Sequence, residues 1–160
     1  MPTSRPVQTT KKLSEILDEY EEISCLSEEI AEWRDSLPDS LSGSDKYSTL
    51  DELANTLDEE ARNLEAIGDA IHPILEKVPG VLDKEIQYHK HLMYKGYSEP
   101  RWVRLANAVA AYEAAFTFIK DSMESWPLED SELDELRGNL DDSEDSISEL
   151  ESVEFPSMFG

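Results

Sequence analysis

Apolar residues recur at spacings of three and four along most of this chain, with acidic residues filling the intervals. From Thr10 onward, Leu13, Ile16, Tyr20, Ile23, Leu26, Ile30, Trp33 and Leu37 fall on one face of a helix with 3.6 residues per turn. Pro38 ends that helix, and residues 39–45, composed of Ser, Gly, Asp and one Leu, predict a turn. Thr49 with Glu52 three residues later reads as a capping box opening a second helix. Its stripe is Leu50, Leu53, Leu57, Leu64, Ile67, Ile71 and Ile74; only Glu60 breaks the rhythm, and Ala61 is expected to take the core place beside it. Pro73 and Pro79-Gly80 are expected to close this helix.

A shorter rhythm, Leu82, Ile86, His89 and Met93, predicts a third helix running up to Gly96. Ser98 reads as the N-cap of a fourth, with Glu99 and Pro100 in its first turn. There Trp102, Leu105, Val109, Tyr112, Phe116, Ile119, Met123 and Trp126 keep a three-four alternation, and six alanines surround the stripe, predicting the most buried helix. Pro127 stops it. Residues 128–154 form a last helical stretch with the stripe Leu133, Leu136, Leu140, Ile147 and Leu150. The segments around Leu50–Ile67 and Leu133–Leu150 repeat one apolar spacing, as two helices solving the same packing problem do.

These elements predict an all-α fold, an antiparallel helical bundle of four to five helices with coiled-coil-like heptad packing, within one chain or across a homodimer. The organisation expected is a disordered arm over 1–9, a helical bundle over 10–126, and an acidic helix with an apolar C-terminal tail over 127–160. The β-branched residues are scattered and never alternate, so no sheet is expected.

Charge changes the picture more than hydropathy does. The 160 residues carry 37 Asp+Glu against 14 Lys+Arg, a formal charge of -23. Such a chain repels DNA, RNA and anionic membranes, and its natural partners are basic protein surfaces. The charge is also uneven. Residues 13–35 hold nine acids against Arg34, and residues 128–154 hold twelve against Arg137. Residues 84–104 run the other way, with Lys84, Lys90, Lys95, Arg101 and Arg104 against Glu85 and Glu99, and internal pairing with the acidic helices is the first use expected of them. With ~1.5 Å of rise per residue, the acids of residues 13–35 lie about one per ~4 Å of helix axis, close to the ~3.4 Å phosphate spacing of a DNA strand. Two such helices side by side would approach the charge density of a duplex.

Catalytic chemistry is not indicated, and neither an enzyme nor a cofactor is expected. The six glycines are isolated and form no phosphate-binding loop. The single cysteine, Cys25, sits among Glu21, Glu22, Glu28 and Glu29, which disfavour a thiolate. One cysteine suits a reducing cytoplasm, and no apolar run approaches the ~18 residues of a membrane span. Asp69 with His72, and Glu85 with His89, have the spacing of metal-ligating helical pairs, but the two Glu-x-x-His motifs of a di-iron bundle are missing. Tyr88, Tyr94, Tyr97 and Trp102 interleave with the basic stretch, an arrangement that can bind nucleic acid, and the overall charge opposes it.

The segments Glu32-Trp-Arg-Asp-Ser-Leu-Pro38 and Glu149-Leu-Glu-Ser-Val-Glu-Phe-Pro156 resemble stretches of small acidic helical proteins encoded by tailed bacteriophages. The resemblance implies a host-cytoplasmic protein, in a group that includes inhibitors of host defence nucleases and DNA mimics. The function expected is therefore protein interaction, in the form of a DNA-mimic inhibitor of a nucleic-acid-binding or defence protein. The alternative is a scaffold or chaperone-like assembly protein acting through its heptads and tail. The partner-binding residues expected are Glu15, Asp18, Glu19, Glu22 and Glu29 on the first helix. Asp134, Glu135, Asp141, Asp142, Glu144 and Asp145 on the last helix join them, with Phe155 and Phe159 in the tail.

Overall fold

The computed structural model describes residues 4–41, 43–94, 96 and 98–156. In chain order the elements are β1 (Ser4–Lys12), α1 (Leu13–Ile16), α2 (Tyr20–Asp35), α3 (Asp45–Glu76), β2 (Glu85–Met93), α4 (Arg101–Ser122) and α5 (Asp130–Glu151). The molecule is mostly helical with a small two-stranded antiparallel sheet, which corrects the all-α expectation.

Both strands fall where the sequence pointed elsewhere. Residues 4–9, expected as a disordered arm, lie in β1, and residues 85–93, expected as the third helix, form β2. The two pair over nine residues, from Ser4 opposite Met93 to Lys12 opposite Glu85. Ile86 and Tyr88 alternate inward on β2, a period of two that a short run of Ile86, His89 and Met93 also disguises as a helical period. Pairing between segments some eighty residues apart decides between the two, and local spacing cannot register it. The Leu13 N–H continues the ladder to the Lys84 carbonyl at 2.9 Å, so the sheet leads directly into the core at Leu13.

The first predicted helix is broken. α1 ends after Ile16, and α2 starts at Tyr20. Tyr112, fully buried on α4, stitches the break: its hydroxyl accepts the Tyr20 N–H at 2.7 Å and donates to the Leu17 carbonyl at 3.2 Å. Burial pushes the Tyr112 phenol well above its ordinary value, so it stays protonated as a donor.

The helix α3 begins at Asp45 rather than beside Thr49. Ser44 is its N-cap, accepting the Tyr47 N–H at 3.3 Å. It also runs through Pro73 to Glu76, since Ile74 and Leu75 are buried and their packing outweighs the missing hydrogen bond. α3 packs against both α2 and α5, and its buried set includes Ala54, Ala61 and Gly68 beside the leucine stripe. That face is wider than the two positions per heptad of a coiled-coil seam, so the heptad spacing does not specify a coiled coil here. Ser27 of α2 donates to the Ala54 carbonyl at 2.7 Å, marking the close approach of those two helices. α4 starts after Pro100, which takes the N-cap place expected of Ser98, and it ends at Ser122, short of the expected Trp126, with Met123–Ser125 in a 3-10 turn; the predicted stripe is buried except for Trp102, which is 48% exposed, and Trp126, which is half-buried. α5 buries all five residues of its predicted stripe. Glu132 ties the start of α5 to Lys77 just past the end of α3. Among the described residues no helix is long and apolar enough to cross a membrane.

Candidate functional site

The acidic residues expected to meet a partner divide into those that the fold uses and those that it leaves open. On the N-terminal side most are used. Glu22 and Glu29 sit two turns apart on α2, and Arg104 of α4 reaches both, at 2.5 Å to Glu22 and 2.7 Å to Glu29. Arg101 adds a contact to Glu29 at 3.2 Å. Hydrogen bonding from Arg104 holds the Glu29 carboxyl below its ordinary range. Arg101 and Lys46 also lie over the Trp33 ring, 5.7 and 5.1 Å from its centre. Glu19, in the turn before α2, pairs with Lys11 of β1. Glu15 and Asp18 are exposed. Of the five acids expected here, Glu22 and Glu29 are thus met by the start of α4 and Glu19 by β1, and from the basic stretch expected to pair internally it is Arg101 and Arg104 that do so with α2.

The last helix is different. Glu135, Asp141, Asp142, Glu144 and Asp145 are exposed; Asp134 pairs with Arg137 at 2.9 Å, and Glu144 lies 3.5 Å from Lys120. These acids spread over two sides of α5 and do not form one surface. Asp141 and Glu144 face α4, bordering a pocket with Lys120 and Arg137. Asp142 and Asp145 face α3 and line a cleft of about 570 Å³ between the two helices. Glu59, Glu60 and Glu149 join them, so five carboxylates share the cleft with uncharged polar groups such as Asn63 and Ser146, and no Lys or Arg lines it among the described residues.

Glu60 is the residue of this cleft with the most unusual environment. It is 6% exposed, accepts from the Asn63 amide at 2.7 Å, and is also met by the Ser146 hydroxyl from α5. Burial first, then the nearby Glu59 and Glu149 charges, push its carboxyl above the ordinary range. The sequence marked this position as the one break in the α3 stripe, with Ala61 expected to replace it in the core. The structure buries both. Sequence reading missed Glu59, Glu60 and Glu149 as site residues; the polar interruption at Glu60 was the available signal.

A second carboxylate pair lies between α4 and α5. Glu113 shares a hydrogen bond with Glu151, and that bond together with partial burial pushes the Glu113 carboxyl up to about 7. Close by, a groove of about 480 Å³ is lined by Trp102, Leu105, Val109, Leu150 and Phe155. Phe155 is half-buried and packs on the core, whereas Phe159 lies outside the described residues. The metal-like pairs do not converge: His72 bonds Glu76 at 3.0 Å, and no group of three or more His, Cys, Asp or Glu is placed to hold a metal among the described residues. No protein-family model, no curated protein and no solved structure matches this chain.

Proposed function

We infer that this chain is an acidic helical interaction protein whose α3–α5 side engages a basic protein surface. The observation that carries this reading is the cleft where Glu59, Glu60, Asp142, Asp145 and Glu149 meet with no facing cation among the described residues. Gathering five carboxylates raises their mutual repulsion, and a Lys- or Arg-rich partner would relieve it. The four long helices are read as an antiparallel bundle displaying this side, supported by the packing of α2 on α3, α3 on α5 and α4 on α5.

The sharper form of the reading is DNA mimicry directed at a nucleic-acid-binding or defence protein. α5 spans 22 residues, or ~33 Å, and carries ten acids against one arginine, about one per ~3.3 Å of axis when both of its sides are counted together. That is close to the ~3.4 Å phosphate repeat of a DNA strand. The neutralisation of Glu22 and Glu29 by Arg104 narrows the mimic to the α5 side and takes α2 out of it.

The test is capture of basic proteins from nuclease-treated bacterial lysate on the immobilised chain, alongside the triple variant Asp142→Asn, Asp145→Asn, Glu149→Gln. Release by moderate salt, competition by duplex DNA and loss of capture by the variant support the reading. Capture that survives high salt, ignores DNA and is unchanged in the variant overturns it. That second outcome favours an assembly protein acting through its apolar tail, a reading supported by the groove that Phe155 and half-exposed Trp102 share.

A further inference from the structure

The register of the sheet defines which backbone groups of β2 are left over. Pro6 lies opposite His91, and proline has no N–H to give. The His91 N–H instead donates to the Asn107 side chain at 2.8 Å, and the Asn107 amide returns a bond to the His91 carbonyl at 3.1 Å. Pro6 and His91 are therefore a non-hydrogen-bonded pair, each turned away from the other. In an antiparallel ladder this alternates strictly. The bond from the Leu13 N–H to the Lys84 carbonyl lies one step past Lys12 and Glu85 and has the expected parity. Consequently Glu85, Gln87, His89 and His91 all point their N–H and C=O groups outward from β1.

Asn107 of α4 supplies at His91 the donor and acceptor that a third strand would supply. Further along α4 three of the side chains that border β2 are small, beside Phe118 and the acids Glu113 and Asp121. Ala110, Ala114 and Thr117, spaced four and three apart, line a trough of about 670 Å³ beside Gln87 and His89. Among the described residues no partner takes the outward backbone groups of Gln87 or His89. An unpaired strand edge is normally blunted by charge, proline or cover. β1 has its outward proline at Pro6, but this stretch of β2 has none of its own.

We propose that the trough between β2 and α4 receives an extended basic peptide segment of a partner protein, which adds as a third strand beside Gln87 and His89. Backbone pairing would hold the segment, as in other strand-addition complexes, and side chains at alternate positions would read the walls. The walls argue for cations: Glu85 and Asp121 line the trough against Lys84, and Glu113, hydrogen-bonded to Glu151, adds its charge as it ionises. This site shares no residue with the α3–α5 cleft, so it stands or falls separately from the function proposed above.

The probe is a fluorescein-labelled octapeptide of alternating Lys and Val, titrated into the full-length chain at neutral pH. Hydrogen exchange at single amides is followed by NMR. Binding is expected to slow exchange at the Gln87 and His89 amides at least about tenfold, the factor that ~1.4 kcal/mol gives. Two variants separate backbone from side chain. Gln87→Pro deletes the outward donor while sparing the ladder to β1, and is expected to weaken binding about tenfold. Gln87→Ala keeps the donor and is expected to stay within about twofold. Should Gln87→Pro fail to fold, exchange in the unmodified chain decides alone.

Unchanged exchange at Gln87 and His89 at millimolar peptide overturns the proposal, even where amides of the α3–α5 cleft respond. Equal weakening by both variants overturns it too. Protection already present in the free chain and rising with protein concentration would place a second copy on this edge instead of a partner peptide.

Discussion

Replacing Arg104 with methionine tests how much of the acidic surface is spent on holding the fold together. Methionine keeps most of the aliphatic length and removes the charge and all donors. Arg104 touches Glu22 at 2.5 Å and Glu29 at 2.7 Å, with side-chain exposures of 22%, 37% and 33% for the three residues. Exposed ion pairs contribute about 0–1 kcal/mol, and breaking a buried one costs about 3–5 kcal/mol. This cluster is between the two, and the substitution also leaves Glu22 and Glu29 together on a helix whose other charges are mostly negative. The expected loss is about 2 kcal/mol at pH 7. With a urea m-value of about 2 kcal/mol/M, the midpoint followed by circular dichroism falls by about 1 M.

The pH dependence carries a sign. Glu29 is held below its ordinary 4.5 mainly by its hydrogen bond from Arg104. A depressed carboxyl contributes stability that is present above the ordinary value and is lost as pH falls through the depressed one. The penalty for Arg104→Met should therefore shrink in acid, and the NMR titration midpoint of Glu29 should rise in the variant. A midpoint change below about 0.2 M at pH 7, or a Glu29 titration unaltered by the substitution, would refute the reasoning.

Tyr112→Phe removes only the hydroxyl that joins Tyr20 and Leu17. It should cost about 1–3 kcal/mol and speed exchange of the Tyr20 amide, because two backbone groups lose their partner in a buried site; unchanged exchange there would show the break before α2 is held by something else. Glu113→Gln should flatten the stability profile between pH 4.5 and 8. The Glu113 carboxyl is pushed up to about 7 beside Glu151, so the wild-type chain gains stability as pH falls through that value and loses it above. Solvent at this half-open site reduces the repulsion to about 1 kcal/mol, so the variant should melt about 2–4 °C higher at pH 8, measured by thermal denaturation.

Where the pattern was long and periodic, it was legible without coordinates. The stripes of α3 and α5 are buried residue for residue, and α4 holds the fully buried Tyr112 within its predicted stripe. The charge asymmetry was equally plain, and internal pairing of the basic stretch was met in part, by Arg101 and Arg104, because a basic stretch in an acidic chain has abundant local partners. By itself, then, the sequence determined a mostly helical molecule with an acidic exterior, since both follow from spacing and composition over short windows.

The tertiary structure alone decided the rest. Residues 4–12 and 85–93 become strands only because they pair with each other across most of the first half of the chain. The break at residues 17–19 is bridged by a hydroxyl that arrives from Tyr112, ninety-odd residues away. Which carboxylates remain open was undetermined for the same reason. Glu22 and Glu29 look as available as Asp142 and Asp145 along the chain, and they differ only in that Arg104 packs over the first pair while α3 brings Glu59 and Glu60 to the second. Spacing fixes the face of a helix on which a charge lies; the packing of distant segments fixes what that face meets.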